Sequence, residues 1–267
     1  MLSLLQEKLK TIENPMTLQQ RILYKLIQWL SPTPEKLSVG SKNAATRHQW
    51  IEKALKSLPS GLRLLDAGAG AMPYKKYSTH LQYVAQDFAQ YDPKKLDSGL
   101  QLTNFDYGKL DIICDITNIS EPDLSFDAIL CSEVLEHLPD PLAALKEFDR
   151  LLKKGGKLIL TAPFCSLTHF APYHYSTGFS TYFYEKHLPK DKWKIINMDA
   201  NGNYFEYLAQ ELSRLPSMAD KYAGYSFEST DYQAMKAVLA KLQMLSAKDA
   251  GSTEVLLFGW QVIAEKL

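Results

Sequence analysis

The sequence predicts an α/β fold in which a mostly parallel sheet carries helices on both faces. Two observations support this prediction. Short apolar runs recur between residues 62 and 162, and three of them end in an acid. Amphipathic segments with helical spacing precede, interrupt and follow these runs. A chain of 267 residues, 46% of them hydrophobic, is long enough for one large core with additions.

The first predicted strand, residues 62–65, leads into a turn with two alternate glycines. The turn reads Asp66-Ala67-Gly68-Ala69-Gly70, and it suits a nucleotide cofactor because the two glycines let a ligand lie against bare backbone. Pro73 occupies the place of the third glycine of a dinucleotide site, and no phosphate-binding G-K-[ST] follows. The pattern therefore favours a nucleoside ligand without phosphates, such as S-adenosylmethionine, over a structural loop.

The second and third predicted strands also end in acids. Asp87 closes residues 81–87 about 20 positions after the glycine turn, where a carboxylate normally accepts from both ribose hydroxyls. Phe88 would then offer an apolar face to the adenine. Asp115 closes residues 110–115 and would accept from the adenine amino group, while the Ile116 amide reaches a ring nitrogen. The alternatives are that Asp87 begins a polar loop and that Asp115 forms a strand-ending turn.

The fourth predicted strand, residues 126–131, ends where carbonyls of Cys131 and Ser132 would receive the cofactor's ammonium group. A structural helix follows, with Asp140 as its N-cap and proline at its first position. We expect Lys153 and Lys154 in its last turn and a glycine to end it. The fifth strand is predicted at residues 157–162.

In this order, the motifs resemble those of class I S-adenosylmethionine-dependent methyltransferases of the small-molecule type. The chain departs from the family pattern at Met72, where a third alternate glycine is usual. The resemblance covers roughly residues 60–165, and it implies a Rossmann-like sheet of seven strands with the last one antiparallel. Residues 192–198 suit the sixth strand and residues 253–264 the last, with a helical insertion at about 204–245.

The first 45 residues are predicted to form an N-terminal helical cap, followed by a methyltransferase domain over residues 46–267. An amphipathic helix between residues 18 and 30 would either close over the active site or cover the sheet. Arg47, after a predicted hinge, would meet the cofactor's carboxylate.

The loop after the fifth strand is predicted to border the acceptor site, as the resemblance implies. Two histidines and two tyrosines lie within seven residues there, and an imidazole titrates near neutral pH. We predict His169 and His174 as catalytic bases, and Tyr173, Tyr175 and His137 as substrate-binding residues; the alternative is a surface loop. No histidine pairs with Cys, Asp or Glu at a metal-ligand spacing, so no metal is expected.

Composition limits the class of partner and the compartment. Thirty basic residues balance thirty acidic ones, which gives no global attraction to nucleic acid. We see no membrane-spanning stretch and no secretory pattern, and three cysteines fit a reducing compartment, so a cytoplasmic location is expected. The sequence does not predict the oligomeric state.

The function predicted from these patterns is S-adenosylmethionine-dependent methyl transfer to the oxygen or nitrogen of a small or medium-sized acceptor, by in-line displacement at the sulfonium methyl. Two alternatives remain open at this stage. One is a cofactor-binding scaffold without turnover, and the other is an NAD-dependent dehydrogenase, which Pro73 disfavours.

Overall fold

A computed structural model describes residues 37–94, 99–100 and 105–267. The chain divides into two units, Met1–Ser38 and Val39–Leu267. The helix predicted between residues 18 and 30 lies outside the described residues. Residues 43–45, predicted as the end of the cap, begin helix α1 of the second unit.

The second unit is built on one sheet of seven strands, which confirms the predicted fold. Its order is β3-β2-β1-β4-β5-β7-β6, with parallel pairing from β3 to β5 and β7 antiparallel to both of its neighbours. The strands are β1 (Arg63–Ala67), β2 (Gln82–Asp87), β3 (Ile112–Ile113), β4 (Phe126–Ser132), β5 (Leu152–Pro163), β6 (Trp193–Asn201) and β7 (Gly259–Lys266).

Five helices surround this sheet among the described residues, and two of them form the predicted insertion before β7. They are α1 (Asn43–Lys56), α2 (Pro141–Leu151), α3 (Thr181–His187), α4 (Tyr204–Ala223) and α5 (Ser229–Ser246). Helices α4 and α5 pack together around a small apolar cluster centred on Ala209 and Leu242. None of these helices is long and apolar enough to cross a lipid bilayer.

The core lies on both faces of the sheet, because the central strands alternate between two layers. Leu64 and Leu130 pack against α1 on one face, whereas Leu65 and Ile129 pack against α2 on the other. All four side chains are fully buried. Burial on both faces is typical of parallel strands that crossover helices cover.

The helix before β5 begins as predicted and ends earlier. Asp140 caps α2 by accepting from the amides of Leu142 and Ala143, each at 3.0 Å. The helix ends at Leu151, so placing Lys153 and Lys154 in its last turn was wrong. These lysines belong to an irregular start of β5: the register with β4 shifts between Phe126 and Ala128, and residues 153–156 form a bulge.

Strands β3 and β7 are shorter than predicted. Strand β3 is only two residues long, and β7 begins six residues later than expected, since residues 252–254 form a single 3-10 turn. Strands β2 and β3 lie on one side of β1, whereas β4 and β5 lie on its other side, so the strand order reverses at β1. In open α/β sheets, the carboxyl ends of strands at such a reversal form the ligand crevice.

The carboxyl end of β1 carries an acid that is buried inside the protein. Asp66 is 2% exposed and accepts a hydrogen bond of 2.5 Å from the Tyr83 hydroxyl. Burial raises the pKa of Asp66 to about 7, against a smaller opposing effect of the Tyr83 bond, and the nearby Asp87 adds to the rise. The folded protein therefore holds a proton there that the unfolded chain releases near pH 4.

In the ligand-free wild-type protein, the free energy of unfolding should fall as the pH rises, because of Asp66. We predict that Asp66→Asn removes this fall. Between about pH 4 and 7 the unfolded chain binds fewer protons at this position, so the wild-type protein loses about 1.4 kcal/mol per pH unit relative to the variant. The amide keeps an oxygen that accepts from Tyr83. Urea unfolding at pH 4.5, 5.5, 6.5 and 7.5 measures the difference.

Asp191→Asn provides the matched control, since Asp191 is exposed. Its unfolding free energy should keep the wild-type pH dependence. A constant difference between Asp66→Asn and wild type across these pH values would contradict the assignment of the buried proton to Asp66.

Candidate active site

A cavity of about 870 Å³ opens at the carboxyl ends of β1, β2, β3 and β4. This volume lies within the range of small-molecule and cofactor sites. The cavity wall brings together most residues predicted for the site from sequence: Asp66, Gly68, Gly70, Asp87, Phe88, Asp115, Ile116, Ser132, His137, His169, Tyr173 and Tyr175.

The glycine turn is held against β2 by backbone hydrogen bonds. The amides of Gly68 and Ala69 both donate to the Gln86 carbonyl, at 2.9 and 2.8 Å. Gly68 has a φ of +74°, and a Cβ there would lie 2.5 Å from a methyl of Val134. Met72, where the family motif usually has glycine, has a left-handed backbone with a φ of +54°, a region that glycine enters most easily.

Asp87 connects the glycine turn to the tip of β2. Its two carboxylate oxygens accept from the amides of Gly70, at 2.9 Å, and Ala89, at 3.0 Å. The side chain is 6% exposed, and burial raises its pKa although these amides act in the opposite direction. Each carboxylate oxygen has a second lone pair. An acid oriented in this way fits a ribose, whose two adjacent hydroxyls would donate to it.

The tip of β3 completes the nucleoside end of the cavity. The Asp115 carboxylate accepts from the Thr117 amide at 2.8 Å and from its hydroxyl at 2.7 Å, so the strand-ending turn weighed as an alternative does form. Asp115 and the buried Ile116 still line the cavity. Phe88 also lines it and packs edge-on against Tyr173, with ring centroids 4.9 Å apart. This part of the wall therefore combines apolar side chains with a carboxylate.

The tip of β4 reaches the cavity wall through Ser132, one of the two residues predicted there, and through Glu133. Cys131 does not line the cavity, and its side chain is fully buried in the core on the α2 face. Binding of the cofactor's ammonium group by the Cys131 carbonyl stays a prediction. Glu133 accepts from Arg47 Nη1 at 3.0 Å and from the Thr161 hydroxyl at 3.0 Å. Arg47, predicted to meet the cofactor's carboxylate, therefore already pairs with an acid of the protein.

Aromatic rings also line the cavity, and sequence reasoning missed several of them. Phe105, Tyr107 and Phe170 line it. Phe170 stacks on Tyr91, with centroids 3.8 Å apart, and Phe105 meets Phe170 edge-on at 5.5 Å. Phe105 and Tyr107 lie in an irregular segment with no periodic pattern to mark them. Phe170 lies within the loop that the sequence did indicate.

Three histidines meet beside this aromatic wall, and we call His137, His169 and His174 the histidine cluster. His137 and His169 line the cavity, whereas His174, predicted as a catalytic base, lies behind them. The His174 ring centroid is 4.9 Å from that of His169 and 6.1 Å from that of His137. Burial, and then the neighbouring His169, lower the pKa of His137 to about 4, so this ring is neutral near neutral pH.

Comparison with known proteins matches residues 41–216 to a family described as a methyltransferase domain. A ubiquinone biosynthesis O-methyltransferase of Xanthomonas axonopodis pv. citri (strain 306) is 38% identical over 110 residues, covering 39% of this chain and 44% of that protein. Its counterpart in Xanthomonas oryzae pv. oryzae (strain PXO99A) is 38% identical over 109 residues, covering 38% and 43%. The matched stretch thus spans less than half the length of either relative.

Among solved structures, the cyclase SpnF aligns with 87% of this chain and 84% of its own, at a TM-score of 0.51 and 16% identity. At this identity the likeness shows the fold alone. The family match covers well over half of the chain and includes every strand tip described above. The chain therefore belongs to the methyltransferase-domain family.

Proposed function

We propose that the protein transfers the methyl group of S-adenosylmethionine to a hydroxyl group on a small, ring-bearing acceptor. The observation that carries this proposal is that acidic strand tips, aromatic rings and two histidines all line one cavity. The strand tips, which we call the nucleoside end, suit an adenosine. The rings and histidines of the loop after β5, which we call the acceptor end, suit a planar acceptor that must lose a proton.

The nucleoside end is assigned residue by residue. Asp87 would accept from the ribose hydroxyls, Asp115 and the Ile116 amide would bind the adenine edge, and Phe88 would pack on its face. Ser132 lies at the β4 tip, where the amino-acid tail would end. When bound, S-adenosylmethionine supplies an electrophilic methyl group. The chain then contributes mainly alignment, an effect that accounts for roughly 7–11 kcal/mol in well-oriented reactions.

The acceptor end favours oxygen over nitrogen. Phe170 and Tyr173 would clamp a ring, and His137 lies next to both: its ring centroid is 5.1 Å from that of Phe170, and its Nδ1 donates to the Tyr173 carbonyl. A hydroxyl must lose its proton as it is methylated. A neutral amine instead attacks through its lone pair and loses its proton only afterwards. A group that handles this proton typically contributes about 10²–10⁴-fold. The relatives named as O-methyltransferases support the same choice.

The family match leaves the alternative of an NAD-dependent dehydrogenase without support. Pro73 also lines the cavity where a pyrophosphate would need a third glycine.

We predict that Asp87→Asn weakens binding of S-adenosylhomocysteine by about 10- to 100-fold. The amide retains one acceptor oxygen and loses the charge and the second acceptor, which corresponds to about 1.5–3 kcal/mol for hydrogen bonds to a charged group. Isothermal titration calorimetry measures the affinity, and thermal unfolding checks that the variant folds.

Asp111→Asn is the matched control. Asp111 also accepts from a backbone amide, that of Ala85 at 2.9 Å, but it lies outside the cavity wall. The affinity of Asp111→Asn for S-adenosylhomocysteine should equal that of the wild-type protein. Equal affinities of Asp87→Asn and wild type would remove the ribose assignment.

We predict that tritiated S-adenosylmethionine labels small phenols and catechols and leaves the matched anilines unlabelled. The aromatic wall accepts both kinds of ring, and only the hydroxyl compounds use the proton-handling histidines. His169→Gln should reduce turnover by about 10²–10⁴-fold at unchanged affinity for S-adenosylhomocysteine. His80→Gln, far from the cavity, should turn over normally. Labelling of the anilines alone would refute O-methylation.

A further inference from the structure

We propose that the histidine cluster binds a divalent transition-metal ion such as Zn²⁺, and that this ion receives the acceptor's hydroxyl group. The second half of the proposal rests on the proposed O-methylation. The expectation of no metal was based on local spacing, but the fold joins His137, in the 3-10 turn after β4, to His169 and His174, in the loop after β5.

The distances suit a shared ion. One ring nitrogen from each histidine lies within 4.8 Å of a ring nitrogen of each of the others. Zinc binds imidazole nitrogens at about 2.0–2.1 Å with tetrahedral geometry, which places two such ligands about 3.4 Å apart. The rings therefore need to approach one another by little more than an ångström. Side-chain rotations are enough for this movement.

Two of the rings are already oriented in the way that metal ligands usually are. Nδ1 of His137 donates to the Tyr173 carbonyl, and Nδ1 of His169 donates to the Leu167 carbonyl at 2.8 Å. Metal-binding histidines almost always donate their other ring N–H in this manner, which fixes the tautomer. The lone pair of each ring is therefore on Nε2, the atom that would bind the ion.

The backbone holds the two parts of the cluster together. The amides of Tyr175 and Ser176 donate to the Glu136 carbonyl, at 2.9 and 3.2 Å. The His137 ring donates in the opposite direction, to Tyr173. These bonds connect the loop to the 3-10 turn on both sides of His174. The backbone positions of His137 and His174 relative to each other are thus set before any ion binds.

Buried polar atoms beside the cluster have no hydrogen-bond partner among the described residues. Both ring nitrogens of His174 are buried and unpartnered, and so are both carboxyl oxygens of Glu136, a residue that is 0% exposed. Glu136 Oε1 lies 3.7 Å from Nε2 of His137. Since buried polar groups are nearly always satisfied, these atoms indicate a missing ligand. A cation would bind His174 directly and provide a countercharge for Glu136.

The ligand set indicates both the metal class and its role. Imidazoles favour zinc and similar transition metals, whereas magnesium and calcium favour oxygen ligands. Three protein ligands with a fourth position open to substrate are typical of catalytic zinc sites. His137 and His169 line the cavity, so the open position faces the acceptor. A hydroxyl bound there releases its proton to water more readily, and its oxygen then accepts the methyl group.

The first experiment measures metal binding by titrating Zn²⁺ and Co²⁺ into the full chain after chelator treatment. We expect one ion per chain, with visible ligand-field bands for tetrahedral Co²⁺. His137→Gln, His169→Gln and His174→Gln should each weaken binding by about 100-fold or more. His80→Gln and His187→Gln should leave it unchanged. Failure of the wild-type protein to bind, or equal binding by the cluster variants, would overturn the proposal.

The second experiment separates this proposal from the proposed function. Chelator-treated protein should bind S-adenosylhomocysteine with unchanged affinity, lose transfer to phenols and regain it with Zn²⁺. Full transfer without metal would overturn the metal site and leave O-methylation intact, with the histidines acting as bases. Failure of the metal-loaded protein to bind S-adenosylhomocysteine would contradict the cofactor assignment instead.

The third measurement does not depend on the folding of any variant. Crystals of the wild-type protein grown with Zn²⁺ should show an anomalous peak among the three rings, about 2.0–2.1 Å from one nitrogen of each. Its absence from fully loaded crystals would also overturn the proposal.

Discussion

The hydrogen bond between the Gly70 amide and the Asp87 carboxylate connects the two strand tips on which the candidate cofactor site depends. It holds the glycine turn after β1 against β2, and it fixes the acid that would bind a ribose. Asp87 is buried, and this burial raises the pKa of its carboxyl above the ordinary value, although the amides of Ala89 and Gly70 act in the opposite direction. Hydroxyl donors from a nucleoside would stabilise the charged form of this carboxyl. The geometry of the turn and the affinity for the cofactor therefore depend on the same contact.

The acceptor end depends on the loop after β5 instead. Strand β5 and the 3-10 turn after β4 set the two sides of this loop, and backbone hydrogen bonds to Glu136 hold them together. The rings of Phe170 and Tyr173 and the histidine cluster all come from these two segments. In the proposed function the sheet positions the cofactor, whereas this loop, a kind of element that varies readily between relatives, contacts the acceptor. The family match covers the strand tips and the loop alike, and it leaves the acceptor to be proposed.

The strand tips could be predicted because parallel strands present their carboxyl ends at one edge of the sheet. Asp66, Asp87 and Asp115 follow apolar runs in the sequence, and all three line the cavity. The histidine cluster was not predicted as a unit because it joins segments more than thirty residues apart. Phe105 lies in an irregular segment without periodicity. Lys153 was misplaced because a β-bulge follows α2 directly, so helix spacing and strand spacing meet without a loop between them.

A crystal structure of the complex with S-adenosylhomocysteine tests the central claim most directly. The account predicts both ribose hydroxyls within hydrogen-bond distance of the Asp87 carboxylate, the adenine beside Phe88 and Ile116, and the sulfur directed toward the histidine cluster. An adenosine bound away from the tips of β2 and β3, or one with its sulfur directed away from His169, would contradict it.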